Sequence, residues 1–174
     1  IVKGHYAEIY KNQDSMFVTK RAVAVNFVQN DSVYIHGKKL MVTGKEGNRI
    51  IRAFNNVRFY KTDMSGKCDS IHSSSKTALT KLIGNPVLWN GDNQITGDIM
   101  HLIGDNKTQK LDSLKVLNNT FLVSKDTLGT GYNQVKGVNL YGKFLEGKLH
   151  DVDIVKNTEV IYYMRNDAKE LIGI

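Results

Sequence analysis

Apolar and polar positions alternate along this chain in short runs, and four of the runs share one phase. Ala53–Lys61 (AFNNVRFYK), Leu82–Asn90 (LIGNPVLWN), Val116–Ser124 (VLNNTFLVS) and Ile154–Tyr162 (IVKNTEVIY) have the same order. Each has two apolar residues, a small or polar residue, an Asn, and then a run rich in β-branched and aromatic residues. The anchoring residues are Asn56, Asn85, Asn119 and Asn157, spaced by 29, 34 and 38 residues. A unit recurring at that interval marks a stacked, repetitive architecture. Counted from the Asn, position −5 is Ile51, Thr80, Leu114 and Val152, and position −3 is Ala53, Leu82, Val116 and Ile154. Position −4, between them, is Arg52, Lys81, Lys115 and Asp153. That is the period of a strand with one apolar face and one charged face. Position +3 is apolar again: Phe59, Leu88, Leu122 and Val160.

The alternation slips just before the Asn. Position −2 is apolar in every copy (Phe54, Ile83, Leu117, Val155), whereas −1 is Asn55, Gly84, Asn118 and Lys156. A bulge or corner at −2 to 0 re-aims the side chains, and Asn tolerates the left-handed backbone that such a corner wants. Each unit is therefore a strand, a corner and a second strand. Stacked in register, the units line up their apolar positions into stripes along the molecule.

The rest of the chain fits around these units. Ile1–Tyr10 reads as a strand, and Met16–Val28 as a strand bent near Lys20-Arg21. Val33–Thr43 reads as a strand broken at His36-Gly37, and Gln94–Ile103 as another strand. Turn signals stand at Asn12–Ser15, Asn30–Ser32, Gly44–Asn48, Thr62–Lys67, Asn90–Asn93, Gly104–Asn106 and Glu146-Gly147. Pro86 lacks a backbone donor and belongs at a bend or an edge. Asn93–Gly97 (NQITG) returns as Asn133–Gly137 (NQVKG). The best helix candidate is Ser73–Leu82, where TALTKL reads equally as strand. The chain is all-β.

Composition narrows the classes. With 174 residues, 41% of them hydrophobic, the chain is long enough for one sizeable domain. No apolar stretch approaches the roughly 18–20 residues of a spanning helix. The chain opens on Ile1 with no start methionine or signal peptide in view and stops at Ile174 after a strand-like segment. Both ends read as cut, so residues 1–174 are expected to be one repeat domain, either a mature chain or a fragment of a longer one. Lone Cys68 reads as buried filler. The net charge of +7 suits an anionic partner, a phosphorylated lipid or a membrane surface. The basic residues are scattered, with no RNP motif, zinc finger or basic helix, so nucleic acid is not the partner.

Catalytic signatures are missing. His5, His36, His72, His101 and His150 have no metal-ligand spacing. Ser73–Ser75 lies in no GxSxG turn, and no phosphate-binding glycine loop is present. Trp89 and Tyr162-Tyr163 could stack on sugars, but in strands such residues more often pack across neighbours.

Three segments carry a resemblance to a known family. Gly84-Asn85-Pro86-Val87-Leu88-Trp89, Asn93-Gln94-Ile95-Thr96-Gly97-Asp98 and Asn133-Gln134-Val135-Lys136-Gly137 resemble the strand motifs of the OstA-like family. That family includes the LptA periplasmic bridge and the N-terminal domain of LptD. The resemblance spans roughly residues 30–165. It implies a twisted V-shaped β-jellyroll, or β-taco, of stacked strand-corner-strand repeats. It implies a non-enzymatic, cofactor-free carrier of lipopolysaccharide between inner and outer membranes, located in the periplasm or associated with the outer membrane. The lipid A acyl chains would lie in the apolar groove. Other Lpt-type jellyrolls, or further copies of the chain, would join end to end by strand pairing.

The residues expected to line that groove are Ile51, Ala53, Phe59, Leu82, Leu88, Leu114, Val116, Leu122, Val152, Ile154 and Val160. Each buried methylene is worth about 0.8 kcal/mol, so an acyl chain calls for a long trough rather than a point site. Arg52, Lys81 and Lys115 point away from it onto a solvated outer face. Lys38, Lys39 and Lys107 are weaker rim candidates for lipid phosphates. The competing reading is a β-solenoid or sandwich scaffold, with a closed core, that binds polysaccharide or protein. The two readings part on whether Phe59, Leu88, Leu122 and Val160 are reachable.

Overall fold

The computed structural model describes residues 1–28, 31–108 and 110–174. Its strands are β1 (Val2–Lys3), β2 (Tyr6–Tyr10), β3 (Ser15–Val28), β4 (Asp31–Thr43), β5 (Ile50–Lys61), β6 (Met64–Ser74), β7 (Leu79–Ile83) and β8 (Val87–Asn90). There follow β9 (Asn93–Thr96), β10 (Ile99–Gly104), β11 (Leu111–Lys125), β12 (Tyr132–Leu145), β13 (Lys148–Val155), β14 (Glu159–Ile161), β15 (Met164–Arg165) and β16 (Leu171–Gly173). The first fourteen form one antiparallel sheet, and β15–β16 is a separate hairpin.

The sheet is creased along its length into two arms. The long strands β3, β4, β5, β6, β11 and β12 cross the crease and contribute half of their length to each arm. The short strands meet at the crease in pairs: β1 with β2, β7 with β8, β9 with β10 and β13 with β14. In the first arm the order is β2-β3-β4-β5-β6-β7-β10-β11-β12-β13; in the second it is β1-β3-β4-β5-β6-β8-β9-β11-β12-β14. The result is the folded sheet of strand-corner-strand units that the sequence pattern predicts, in the V-shaped jellyroll form that the family resemblance implies.

The crease is where the alternation slips. At the four anchoring copies, residues −1 and 0 both have positive φ: 63° and 55° at Asn55-Asn56, 84° and 50° at Gly84-Asn85, 58° and 50° at Asn118-Asn119, and 67° and 52° at Lys156-Asn157. Register shifts fall at the same places, between Phe54 and Val57 and between Leu117 and Thr120. Lys20-Arg21 (56° and 63°) is a fifth copy of the corner with no Asn in it. On some intervening strands glycine turns the crease. A Cβ on Gly97 would strike the Val116 side chain, and one on Gly137 would strike that of Ile154. Both neighbours are −3 residues, so glycine and a bulky −3 side chain mesh across the crease.

Inside the V the registers build two rows. In the first arm Val18, Leu40, Ala53, Ile71, Leu82, Met100, Val116 and Leu140 stand side by side, all buried. In the second arm the row is Ala24, Ile35, Phe59, Gly66, Leu88 and Ile95, continuing through Leu122 and Val135 to Val160. The buried members of both rows pack as one cluster. A fully buried Leu or Ile contributes about 1.5–3 kcal/mol, so these rows hold the arms together.

Several sequence expectations are corrected. Ser73–Leu82 is no helix: β6 runs to Ser74, a turn follows, and β7 begins at Leu79. Threonine and β-branched content there serves cross-strand pairing, with Ser73 and Thr80 hydroxyls 2.7 Å apart. The turn placed at Thr62–Lys67 is tighter, since β6 already starts at Met64. Asp31 and Ser32 belong to β4, and Asn30 lies outside the described residues. Pro86 does sit at a bend, the crease between β7 and β8, where it is buried. After β14 the chain turns back, and Arg165 of the β15–β16 hairpin pairs with Asp126 at 2.5 Å.

Candidate functional site: an apolar trough

Between the arms, at the open side of the V, lies a cavity of about 1060 Å³. Its apolar wall comes from both arms: Ile51, Ile71, Leu82, Leu102, Leu111 and Phe144 from the first, and Val33, Ile35, Phe59 and Met64 from the second. Its rim is made of hairpin residues. Among the described residues six are carboxylates (Asp31, Glu46, Asp63, Asp105, Asp112, Glu146) and three are cations (Arg49, Lys61, Lys110). The rim is thus acidic although the chain is basic.

Two of the rim carboxylates, Asp31 and Asp105, are held ionised by local donors. The Thr62 hydroxyl (2.9 Å) and the Ser32 amide (2.7 Å) donate to Asp31 and hold its carboxyl below the usual range, with help from Lys61. Asp105 is lowered in the same way by the Thr108 and Lys107 amides. Lys61 in turn bridges Asp63 at 2.9 Å and Asp31 at 3.8 Å. Among the described residues no group of three or more His, Cys, Asp or Glu is placed to hold a metal ion. The Cys68 thiol is buried, donates to the Ser70 carbonyl and is pushed up to about 11 by that burial, which leaves it unreactive.

The eleven residues expected to line a groove divide by position. Ile51, Phe59 and Leu82 line the cavity. Ala53, Leu88, Leu114 and Val116 face the interior but are packed shut. Leu122, Val152 and Ile154 are half-buried, packed against the core from beside it. Val160, on edge strand β14, is 58% exposed. The test posed by Phe59, Leu88, Leu122 and Val160 therefore has a split outcome: Phe59 lines the cavity, Leu88 is packed shut, Leu122 is half-buried and Val160 is exposed at the edge.

The outer face carries the −4 row. Arg52, His72, Lys81, His101 and Lys115 stand on five adjacent strands, directly paired across them. Burial, then the flanking cations, push both imidazoles below their ordinary value. Lys38 and Lys39 are corrected as rim residues, because they sit at the crease, where the Lys39 ammonium covers the Phe17 ring at 4.4 Å. Lys107 lies at the β10–β11 hairpin, outside the cavity lining. Trp89 packs across its hairpin, its indole N–H donating to Gln94 at 2.9 Å.

Pattern reading missed Leu102, Ile71 and Phe144 because it followed only strands that carry the Asn. Pairing those strands with their hairpin neighbours would have placed Leu102 beside Thr80 and Leu114, in the −5 row.

The family described as "LptA/(LptD N-terminal domain) LPS transport protein" matches residues 7–110. The chain belongs to this family. The match runs from β2 to the β10–β11 hairpin, so more than half of the LptA-type jellyroll is covered by it. A similar solved structure is LptH, "the LptA homologous periplasmic component of the conserved lipopolysaccharide transport device from Pseudomonas aeruginosa". It is 11% identical, with 63% of this chain and 76% of that chain covered and a TM-score of 0.53. At that identity the likeness is one of fold. No curated protein matches.

Proposed function

We propose that this LptA-family chain carries lipopolysaccharide by holding lipid A acyl chains between its arms, with the sugars and phosphates left in water. The observation that carries this reading is the cavity, walled by apolar side chains of both arms and continuous with two rows that run the length of the sheet. Ile51 and Phe59 make the first contacts, with buried Leu82 beneath them. Leu122, Val152, Ile154 and Val160 extend the path to the C-terminal end, and Ala53, Leu88, Leu114 and Val116 form its floor. Each methylene entering adds about 0.8 kcal/mol, a gain that needs no catalytic group or cofactor.

The proposed setting is the periplasm, as for LptH, at or near the outer membrane. Partners would be other Lpt-type jellyrolls or further copies of this chain. They would pair with β1 and β2 at one end of the sheet or with β13 and β14 at the other, where strand edges are open. Apolar side chains exposed at both ends, Ile9 and Tyr10 at one and Val160 and Ile161 at the other, suit such pairing.

A closed scaffold is the second reading, favoured by the packed state of Leu88 and Val116. Photo-crosslinking in cells that make lipopolysaccharide separates the two. A photoreactive residue at Ile51 or Leu122 should give lipid adducts and one at Lys115 should not. Adducts at neither inner position would sink the transport reading in favour of the scaffold.

A further inference from the structure

We propose that Asn90 and the β12–β13 hairpin form a latch across the trough, and that an acyl chain loads only when this latch opens. The proposal rests on the acyl-groove reading and names what controls it. Asn90 ends β8 in the second arm, is 2% exposed, and spends its amide on the opposite arm and on its own neighbour. Its Nδ2 donates to the carbonyls of Gly147 (2.8 Å) and Asp63 (2.9 Å), and its Oδ1 accepts the Leu149 amide (2.8 Å). Gly147 and Leu149 belong to the tip of the β12–β13 hairpin, 57 and 59 residues further along the chain.

Other hairpin tips of the first arm bond to elements of their own arm: the Gly44 amide to the Asp14 carbonyl at 3.0 Å, and the Gly104 amide to the Ala78 carbonyl at 2.8 Å. The β12–β13 tip instead reaches across the mouth. Phe144 and Gly147 there form part of the cavity wall.

The chemistry suits a latch rather than a weld. Asn has two donors and an acceptor on one short side chain, matched here to two carbonyls and an amide. Asp at that position would set a carboxylate against two carbonyl oxygens. Gly147 takes its φ of +79° without strain, and a Cβ there would meet the Asp63 carboxylate, the group that an Asp63→Cys change removes. Among the described residues no ion pair crosses the joint, and Leu145 at its tip stays exposed while Phe144 and Leu149 pack against the core. Its opening breaks the two neutral hydrogen bonds that cross the joint, to the Gly147 carbonyl and from the Leu149 amide, and leaves β12 and β13 paired.

Geometry supplies the test. A Cβ built on Gly147 lies 3.9 Å from the Asp63 Cβ, within the roughly 3.5–4.5 Å of a disulfide. Purified Asp63→Cys/Gly147→Cys protein would be mixed, oxidised or reduced, with cis-parinaric acid, a fatty acid that fluoresces in apolar surroundings. The oxidised form should fail to load and dithiothreitol should restore loading. Asn90→Ala should load about tenfold to a hundredfold faster than the natural chain, the factor expected when such bonds are lost. The oxidised pair loading as fast as the reduced one would overturn the latch and leave the groove intact. No loading by any form, Asn90→Ala included, would overturn the groove and the latch with it. The oxidised and reduced comparison is made on one protein, so it stands even if Asn90→Ala does not fold.

Discussion

The middle of the trough and its C-terminal end are built from the same two rows, yet one is sealed and the other is open. In the middle, Leu82 and Leu88 have paired strands on both sides and the opposite arm above, and neither is exposed. At the end, Ile154 and Val160 lie on edge strands with one neighbour each, and the same row positions become half-buried or exposed. A residue's place in the repeat decides which way it points. Its distance from the sheet edge decides whether anything can reach it.

The largest expected effect comes from breaking the sealed part. Leu82→Asp puts an unpaired charge in the middle of the first arm's buried row and should leave no folded protein by circular dichroism. Leu88→Ala should cost about 2–5 kcal/mol in urea titration, against less than about 0.5 kcal/mol for Val160→Ala. Equal costs would mean that the two ends are packed alike.

The crease sharpens the same contrast. Asn119→Val puts a β-branched residue at a φ of 50° and should cost about 1–2 kcal/mol. Lys156→Gly relieves a φ of 67° at the open end and should raise the urea midpoint. A fall in midpoint would mean that Lys156 stabilises the corner by contacts other than backbone conformation.

Acid acts on the two regions in different windows. At the open end, the Arg165 guanidinium holds the Asp126 carboxyl below its usual range. The unfolded chain therefore binds the proton first, and this stability, complete above about pH 4, is lost as the pH falls through the lower folded value. The β15–β16 hairpin should then become open to protease, and Asp126→Asn should remove that pH dependence. The smallest effect is over the sealed middle. His72 and His101 have lowered values, so the unfolded chain again binds protons first, now from about pH 6.5 downward. A shallow loss of stability below that pH should flatten in the His72→Gln/His101→Gln chain, and an unchanged slope would assign it elsewhere.

Much of this was legible in the sequence because the corners repeat. Asn56, Asn85, Asn119 and Asn157 mark a backbone shape that few residues adopt, and the residues on either side keep phase with it. The corner at Lys20-Arg21 was visible only as a bend, since neither residue announces a left-handed backbone. The cavity's wall was half legible: Ile51, Phe59 and Leu82 follow from the repeat, whereas Phe144 enters through a hairpin that folds across the mouth. The bonds of Asn90 were not legible at all. In the sequence it is the start of an Asn-Gly turn, and nothing local tells that its side chain meets a glycine 57 residues later.

The crease also sets how such a molecule can change size. Where a glycine crosses beside a corner, at Gly97 and Gly137, it meshes with the −3 side chain of the adjacent strand. A duplicated pair of strands, one turning through Asn and one through Gly, could be spliced in without disturbing the others. It would lengthen the trough by about 10 Å, two strand spacings. Reach across a gap is then a matter of counting hairpins, and a chain of this kind can be lengthened or shortened like a ladder, two rungs at a time.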